Sequence, residues 1–524
     1  MSTTTIQLSR IDTESDIQEV HEVHTEEDRM VSRPTGGQMQ KLPECFKSAT
    51  QEILFVVAVS FTQLLLQGPI GFISSNILRL QEKLLIPDSQ LAWLFGSFSL
   101  AHGASFTIFG AISDRVGHKK LVMAGLLGHS ATLIAAGLIQ NRNAFFVLRA
   151  LSGVFCAGMI SGSLGLLGAI YSPGKRKNRA FAAFATAPPL GFAIGTLFGG
   201  LLTQHLFIIF CIYGAICIAI GCASYFIIPK ITFPPRTPER FDFLGSVVAI
   251  TAVALTTFGL TQGPSSGWAP YTYVLLIVGV LCLPAFLYIE RHVHSPIVPP
   301  QSWTTPGFNV LLLCMFLAYG SYFCWNYYVS VYWLRVQHAT PLAVGAYWVA
   351  NGITGAFCTL LVGLILHLCP GHWVFGISIV AFAVGPLFFA VQPVHLTYFA
   401  MGLPAIIIST FGPDLSFAAA SVFLTSNVPR ALQASAGSLL LTVMYLGGAI
   451  FVGIGGIIET SLRGKGELDA LRAIFWFIWQ WTCWRCWWLL SGCAFPKQKR
   501  SSTWSNGLVH LPDYDYMFTD SFNN

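Results

Sequence analysis

Charge is what this chain lacks most. Only 10% of its 524 residues are Asp, Glu, Lys or Arg, against roughly 25% in a typical soluble protein. A soluble globule of this length is therefore excluded. No Asn-x-Ser/Thr sequence occurs, so an N-linked glycan has no acceptor. The first fifty residues show no basic start followed by an apolar stretch, and no cleavable signal peptide is expected. The nearest approach to a phosphate-binding loop, Gly168–Arg176, is one residue too long. It also ends in Arg where a metal-binding Ser or Thr is needed, which leaves ATP hydrolysis without support. No catalytic triad or zinc-protease motif stands out, so an enzyme is not expected. The thirteen Cys are scattered, most of them within apolar runs; they read as small hydrophobes rather than a disulfide framework or a metal site. A net charge of +6 gives no reason to expect a nucleic-acid partner.

In place of charge stand apolar residues, 54% of the chain. A helix crossing a bilayer needs about 20 mainly apolar residues. About fourteen such runs follow one another, from Ile53–Ser75, Leu91–Ile112 and Leu121–Ile139 to Leu432–Ile458 and Ala473–Phe495. The expected fold class is an all-α polytopic membrane protein, with the lipid bilayer as its surrounding partner. Basic residues set the orientation. With both termini cytoplasmic, the inward loops hold Arg115, Lys119 and Lys120, then Lys175, Arg176, Lys177 and Arg179, then Lys230, Arg236 and Arg240. The early outward loops hold only Arg79, Lys83, Arg142 and Arg335.

Residues 1–50, acidic and without apolar periodicity, are expected to form a disordered cytoplasmic tail. The Pro-rich segment Pro229–Phe241 reads as a linker, and Asp242 after it as a helix cap. Trp476–Trp488 holds six of the fourteen Trp. Either it forms an interfacial aromatic belt, or the reading frame is wrong from about Phe477 onward. Arg485 also interrupts the last run, so its insertion stays open.

Gly110–Lys120, reading GAISDRVGHKK, concentrates charge between two apolar runs. Charge is costly in hydrocarbon, which places this cluster at a membrane surface. Gly117 permits a tight turn, and Asp114 is placed to meet a helix N-terminus or a base. Gly110, Asp114, Arg115, Gly117 and Lys119 match the loop signature of the major facilitator superfamily, with His118 where Arg is usual. The resemblance implies a cytoplasmic latch; the other reading is a plain topology signal. Arg149 and Gly153, in LRALSGVFCAG, resemble the fourth-span signature, with Ser152 where Gln is usual. An Arg near a span's centre costs a few kcal/mol. It therefore faces the interior, where the resemblance gives it a part in proton coupling, or it lies near an interface and snorkels out. In GFAIGTLFGG, Gly191, Gly195, Gly199 and Gly200 resemble the antiporter signature that marks exporters, with Thr196 in place of its Pro. This spacing makes a flat stripe for close helix approach, and Pro188 and Pro189 are placed to supply the missing kink.

With FDFLGS after the linker and Gly412–Val443, these motifs make the chain similar to the fourteen-span drug:proton antiporter group, and within it to the fungal aminotriazole-resistance branch. The resemblance implies the major facilitator fold. A six-helix bundle would occupy residues 51–229, a linker with an inserted helix pair 230–302, a second six-helix bundle 303–495, and a cytoplasmic tail 496–524. The second bundle's counterpart loop, His367–His372, lacks the Asp, which leaves one full latch.

Asp414 is the one acid deep in an expected span. Gly412 and Pro413 are expected to break the helix beside it. Asp414 then carries a proton or binds a cation, or else caps the freed amides. On the ninth run Tyr319, Phe323 and Asn326 share one stripe. With Gln63 and Gln67 of the first run they suit a cavity for amphipathic molecules, or plain helix packing. The expected function is proton-driven efflux of small organic compounds, drugs or secondary metabolites, by alternating access. A monomer in the plasma membrane would do this with the proton gradient as energy source and no cofactor or metal. The alternatives are a vacuolar location, passage of a small polar solute such as ammonium or borate, and a non-transporting membrane sensor.

Overall fold

The computed structural model describes residues 43, 45–171, 174–229, 242–293, 303, 305–369, 371–428 and 433–482. The N-terminal tail up to Leu42, the linker from Lys230 to Phe241, and the Trp-dense stretch beyond Thr482, with Arg485 and the C-terminal tail, lie outside the described residues; the expected first tail ends earlier than residue 50, since α1 begins at Ala49.

All regular structure among the described residues is helical. The first set of helices comprises α1 (Ala49–Ser75), the short α2 (Ile77–Leu84), α3 (Trp93–Val116), α4 (His118–Leu138), α5 (Arg142–Ile170), α6 (Lys175–Leu201) and α7 (Leu206–Ile227). A pair follows, α8 (Phe243–Gln262) and α9 (Pro270–His292). The second set comprises α10 (Phe308–Arg335), the short α11 (Pro341–Tyr347), α12 (Val349–Leu368), α13 (Gly371–Val391), α14 (Leu403–Asn427), α15 (Gln433–Leu462) and α16 (Glu467–Gln480).

Short polar residues start several of these helices. Ser48 accepts from Gln51 N at 3.2 Å, Asn141 from Asn143 N and Ala144 N at 3.0 and 3.1 Å, and Asp242 from Gly245 N at 2.7 Å. Each cap satisfies amides that the first turn leaves without partners, and Asp242 takes the role its place in the sequence predicts.

Twelve helices among the described residues are long and apolar enough to cross a membrane, not fourteen. The expected second run folds as the 24-residue α3, within which the side chain of Thr107 lies outside the described residues, and α3 is not among the twelve. The expected last run is represented by the 14 residues of α16, and the rest of it lies outside the described residues.

In the first set, α1 packs on α6 and α7, α3 on α5, and α4 on α5 and α7. In the second, α10 packs on α15 and α16, α12 on α14, and α13 on α14 and α16. Two seams join the sets: α3 with α15, and α6 with α11 and α12. The pair α8–α9 stands outside both sets, but α8 touches α3 and α15 together. There Trp93 Nε1 donates to Gln262 Oε1 at 3.1 Å, and Gly453 leaves room for the Thr261 hydroxyl, 3.1 Å from where a Cβ would sit. The opposite side of the pair exposes Tyr271, Val274, Ile277 and Leu281 of α9, an apolar face that suits contact with lipid.

Candidate functional site

The Gly110–Lys120 segment is a helix–helix corner. α3 runs to Val116, Gly117 takes a φ of +99°, and α4 starts at His118. A positive φ is readily reached by Gly alone. His118 is buried, its Nδ1 2.6 Å from Ser113 Oγ. Lys119 Nζ donates to the Tyr225 and Ile228 carbonyls at 2.7 and 2.5 Å. It thereby caps the end of α7, where a cation suits the negative end of the helix dipole. Arg115 is exposed, Gly110 packs beside Ser438 of α15, and the Asp114 side chain lies outside the described residues.

Gly153 accounts for the position of Arg149. A Cβ there would lie 2.5 Å from the Phe98 carbonyl, so Gly allows α3 this close to α5. The approach lays the Phe98 ring 4.6 Å from the Arg149 guanidinium, a cation–π contact. Arg149 is 1% exposed, which removes the snorkelling alternative. Its Nε and Nη1 have no hydrogen-bond partner among the described residues. Ser152 is occupied by His129, whose Nδ1 lies 2.9 Å from Ser152 Oγ and 3.3 Å from Cys156 Sγ.

The glycine stripe lies against α1. Cβ atoms on Gly191 and Gly199 would fall 2.6 Å from the Leu64 carbonyl and from Ser75 Oγ, and one on Gly195 would collide with the Gly68 carbonyl. Gly200 faces the other way, where a Cβ would fall 2.6 Å from the Pro341 carbonyl across the second seam. Thr196, in the motif's Pro position, sends its hydroxyl toward Ala193 O at 2.9 Å and Gly345 O of α11 at 3.4 Å. Pro188 and Pro189 lie inside an uninterrupted α6. The Pro189 ring packs where Gly355 of α12 leaves space.

α14 runs unbroken through Pro413. The expected break does not occur, and Asp414 caps no terminus. Packing holds the helix despite the bond that proline cannot make. The Pro413 carbonyl accepts Tyr319 Oη at 2.9 Å and Ser416 Oγ at 3.0 Å. Cys358 of α12 lies beside Asp414, and the Asp414 Oδ2 is enclosed without a hydrogen-bond partner among the described residues.

From there an aromatic row crosses the first seam. Tyr319 meets Phe323 at 6.1 Å, Phe323 stacks on Tyr445 at 5.5 Å, Tyr445 meets His102 edge-on at 4.3 Å, and His102 stacks on Phe98 at 5.5 Å. The structure thus connects Arg149, Phe323, Tyr319 and Asp414 through His102 and Tyr445, which sequence reasoning missed. A His within an apolar run was the available signal for the first; Tyr445 carried none. Asn326 stands apart from the row. It is buried, and its carbonyl accepts Ser330 Oγ at 3.3 Å. Gln63 and Gln67 are half-buried on α1, and no hydrogen bond among the described residues joins them to α10.

The face opposite the Gly110–Lys120 corner is closed by polar contacts between the sets. Ser74 Oγ lies 2.6 Å from Ser330 Oγ, which also accepts Trp348 Nε1 at 3.0 Å. Above this layer Arg335 pairs with Asp88, Glu459 and Glu467 at 2.7, 2.9 and 3.3 Å, and Arg463 pairs with Asp88 at 2.5 Å. Burial opposes ionisation of Asp88. Hydrogen bonds from Arg463 and Gln81, with the charge of Arg335, outweigh it and hold the carboxyl below its ordinary value. Among the described residues no group of three or more His, Cys, Asp or Glu could hold a metal ion.

The sequence model of the Major Facilitator Superfamily matches residues 59–452. The efflux pump terJ of Aspergillus terreus is 30% identical, over 89% of this chain and 91% of that protein. The low affinity ammonium transporter of Saccharomyces cerevisiae is 32% identical, over 80% and 84%. The aminotriazole resistance protein of the same yeast is 31% identical, over 84% and 83%. A crystal structure of a POT family transporter in complex with 5-aminolevulinic acid superposes with a TM-score of 0.63 at 13% identity, covering 83% of this chain and 96% of that one.

Proposed function

This chain belongs to the Major Facilitator Superfamily, and from that premise we propose that it is a proton-coupled exporter of small organic compounds. The observation that carries the reading is Asp414, a half-buried acid whose Oδ2 is enclosed and without a hydrogen-bond partner among the described residues, beside Tyr319 and at the end of an aromatic row. Such an acid inside a membrane protein serves as a proton carrier or as a seat for a cationic group. Arg149 is its counterpart in the first set, a buried cation without an acid partner among the described residues. Similarity to an efflux pump and to a drug-resistance protein supports export.

The cycle is alternating access. Helices of residues 51–229 and of 303–495 act as two bundles, with 230–302 supplying the linker and inserted pair. α3 and the segment that α16 begins bring the spans to fourteen. Gly110, Asp114, Arg115, Gly117 and Lys119 form the cytoplasmic latch, and the closed face is the outer one. The transporter works as a monomer in the plasma membrane, on the proton gradient alone. A second reading, passage of a small polar solute, is favoured by similarity to an ammonium transporter.

Efflux of preloaded ethidium or aminotriazole from cells, with and without a protonophore, tests the proposal. Asp414→Asn is expected to reduce proton-driven efflux at least about tenfold with surface expression unchanged. Full efflux by this variant, or wild-type efflux that ignores the protonophore, overturns proton coupling through Asp414. Net uptake of ammonium without export establishes the second reading instead.

A further inference from the structure

His102 sits at the cross-seam contact of the aromatic row. Its Nδ1 faces the Gly153 carbonyl at 3.1 Å. A carbonyl only accepts, so Nδ1 carries the hydrogen and Nε2 holds the lone pair. That Nε2 is enclosed and has no hydrogen-bond partner among the described residues. Buried polar atoms are nearly always satisfied, and an exception points to a use. Phe98 stacks on the ring at 5.5 Å, and Phe106 and Tyr445 meet it edge-on at 5.6 and 4.3 Å. Phe98 and Phe106 belong to α3 itself, whereas Tyr445 belongs to α15. Any motion that parts α3 from α15 therefore uncovers this ring.

We propose that His102 is a protonation switch of the α3/α15 seam, which takes a proton on Nε2 from the water that enters when the seam opens and returns it to that water before the seam closes. The assignment rests on the proton-coupled reading above. The titratable group against the ring is Tyr445 of α15; one ring away Arg149 of α5 lies over Phe98, and near Arg149 stand His129 of α4 and Cys156 of α5, 3.3 Å apart. A second cation beside Arg149 has no water to solvate it in the closed seam, and gains that water when the seam parts. Charge and conformation are thereby linked, as coupling requires. Arg149 does not give up its proton under any ordinary condition, so His102 supplies the first set with a group that can.

The test uses the full chain in lipid nanodiscs. Hydrogen–deuterium exchange is followed over residues 98–106 and 440–448 at pH 5.5 and 7.5, on either side of the ordinary His value of about 6.5. Rates are corrected for the intrinsic effect of pH. Wild type is expected to exchange about fivefold faster at pH 5.5. His102→Gln is expected to show no such change while melting at the wild-type temperature, and Asp414→Asn to keep the response. A wild-type pH response in His102→Gln overturns the assignment, as does its absence from the wild type. Insensitivity of wild-type ethidium efflux to a protonophore would remove the coupling reading itself. Proton-dependent efflux with an unchanged response in His102→Gln would remove only the His102 assignment.

Discussion

At the scale of single residues, the glycines decide how close the helices come. Gly195 meets the Gly68 carbonyl of α1 so tightly that any side chain displaces backbone. Backbone cannot rotate away as a long side chain can, so the strain falls on the whole α1–α6 contact. Gly195→Ala is expected to cost about 2 kcal/mol or more, read as a lower melting temperature and weaker surface expression. Gly168→Ala, with nothing within 4 Å of the added Cβ, should leave both unchanged. The stripe was legible in the sequence, because the spacing of Gly191, Gly195 and Gly199 puts them on one face. What each glycine touches was not. Nor was the link between Arg149 and Phe98, which depends on how two helices fifty residues apart cross at Gly153.

At the scale of elements, helices were the most legible feature, since an apolar run bounded by polar residues has few alternatives in a bilayer. Leu121–Ile139 was expected as a run, and α4 spans His118–Leu138. The error at Pro413 has a physical source. Sequence reasoning priced the lost hydrogen bond but could not see the contacts on α10, α12 and α13 that hold α14 straight. The Arg335 cluster was invisible for a related reason, because its five members come from five separate elements. Asp88 carries the first set's charge in this cluster. Asp88→Asn should loosen the closed face, raising the labelling rate of Ser74→Cys by an impermeant maleimide about threefold, in line with the modest strength of half-exposed pairs. The pH dependence follows from the lowered Asp88 value. A depressed carboxyl contributes above its unfolded value and loses its contribution as pH falls through the folded one. Once rates are corrected for the fall in thiolate with pH, labelling should therefore be flat between pH 7 and 5 and rise only below roughly 4.

At the scale of the whole molecule, the family and its helical architecture were legible from motifs in Gly110–Gly200, whereas the partition of contacts into two seams was not. Both seams are closed toward the face that carries Arg335, and the proposed alternating access requires that face to open once per cycle. A Ser74→Cys, Ser330→Cys pair places two sulfurs where hydroxyl oxygens now stand 2.6 Å apart. Its oxidation should abolish efflux and reduction should restore it. Either single variant should transport normally under both conditions; efflux that persists in the oxidised pair would mean this face does not need to open.

The placement of α8 has a consequence in the plane of the bilayer. It lies across the α3/α15 seam, touching both helices, with α9 outside it. Solutes dissolved in lipid are thus held away from that seam by two layers of helix, about 20 Å of protein. The molecule has a back and a front within the membrane, and sideways traffic from the leaflets is confined to the rest of its perimeter.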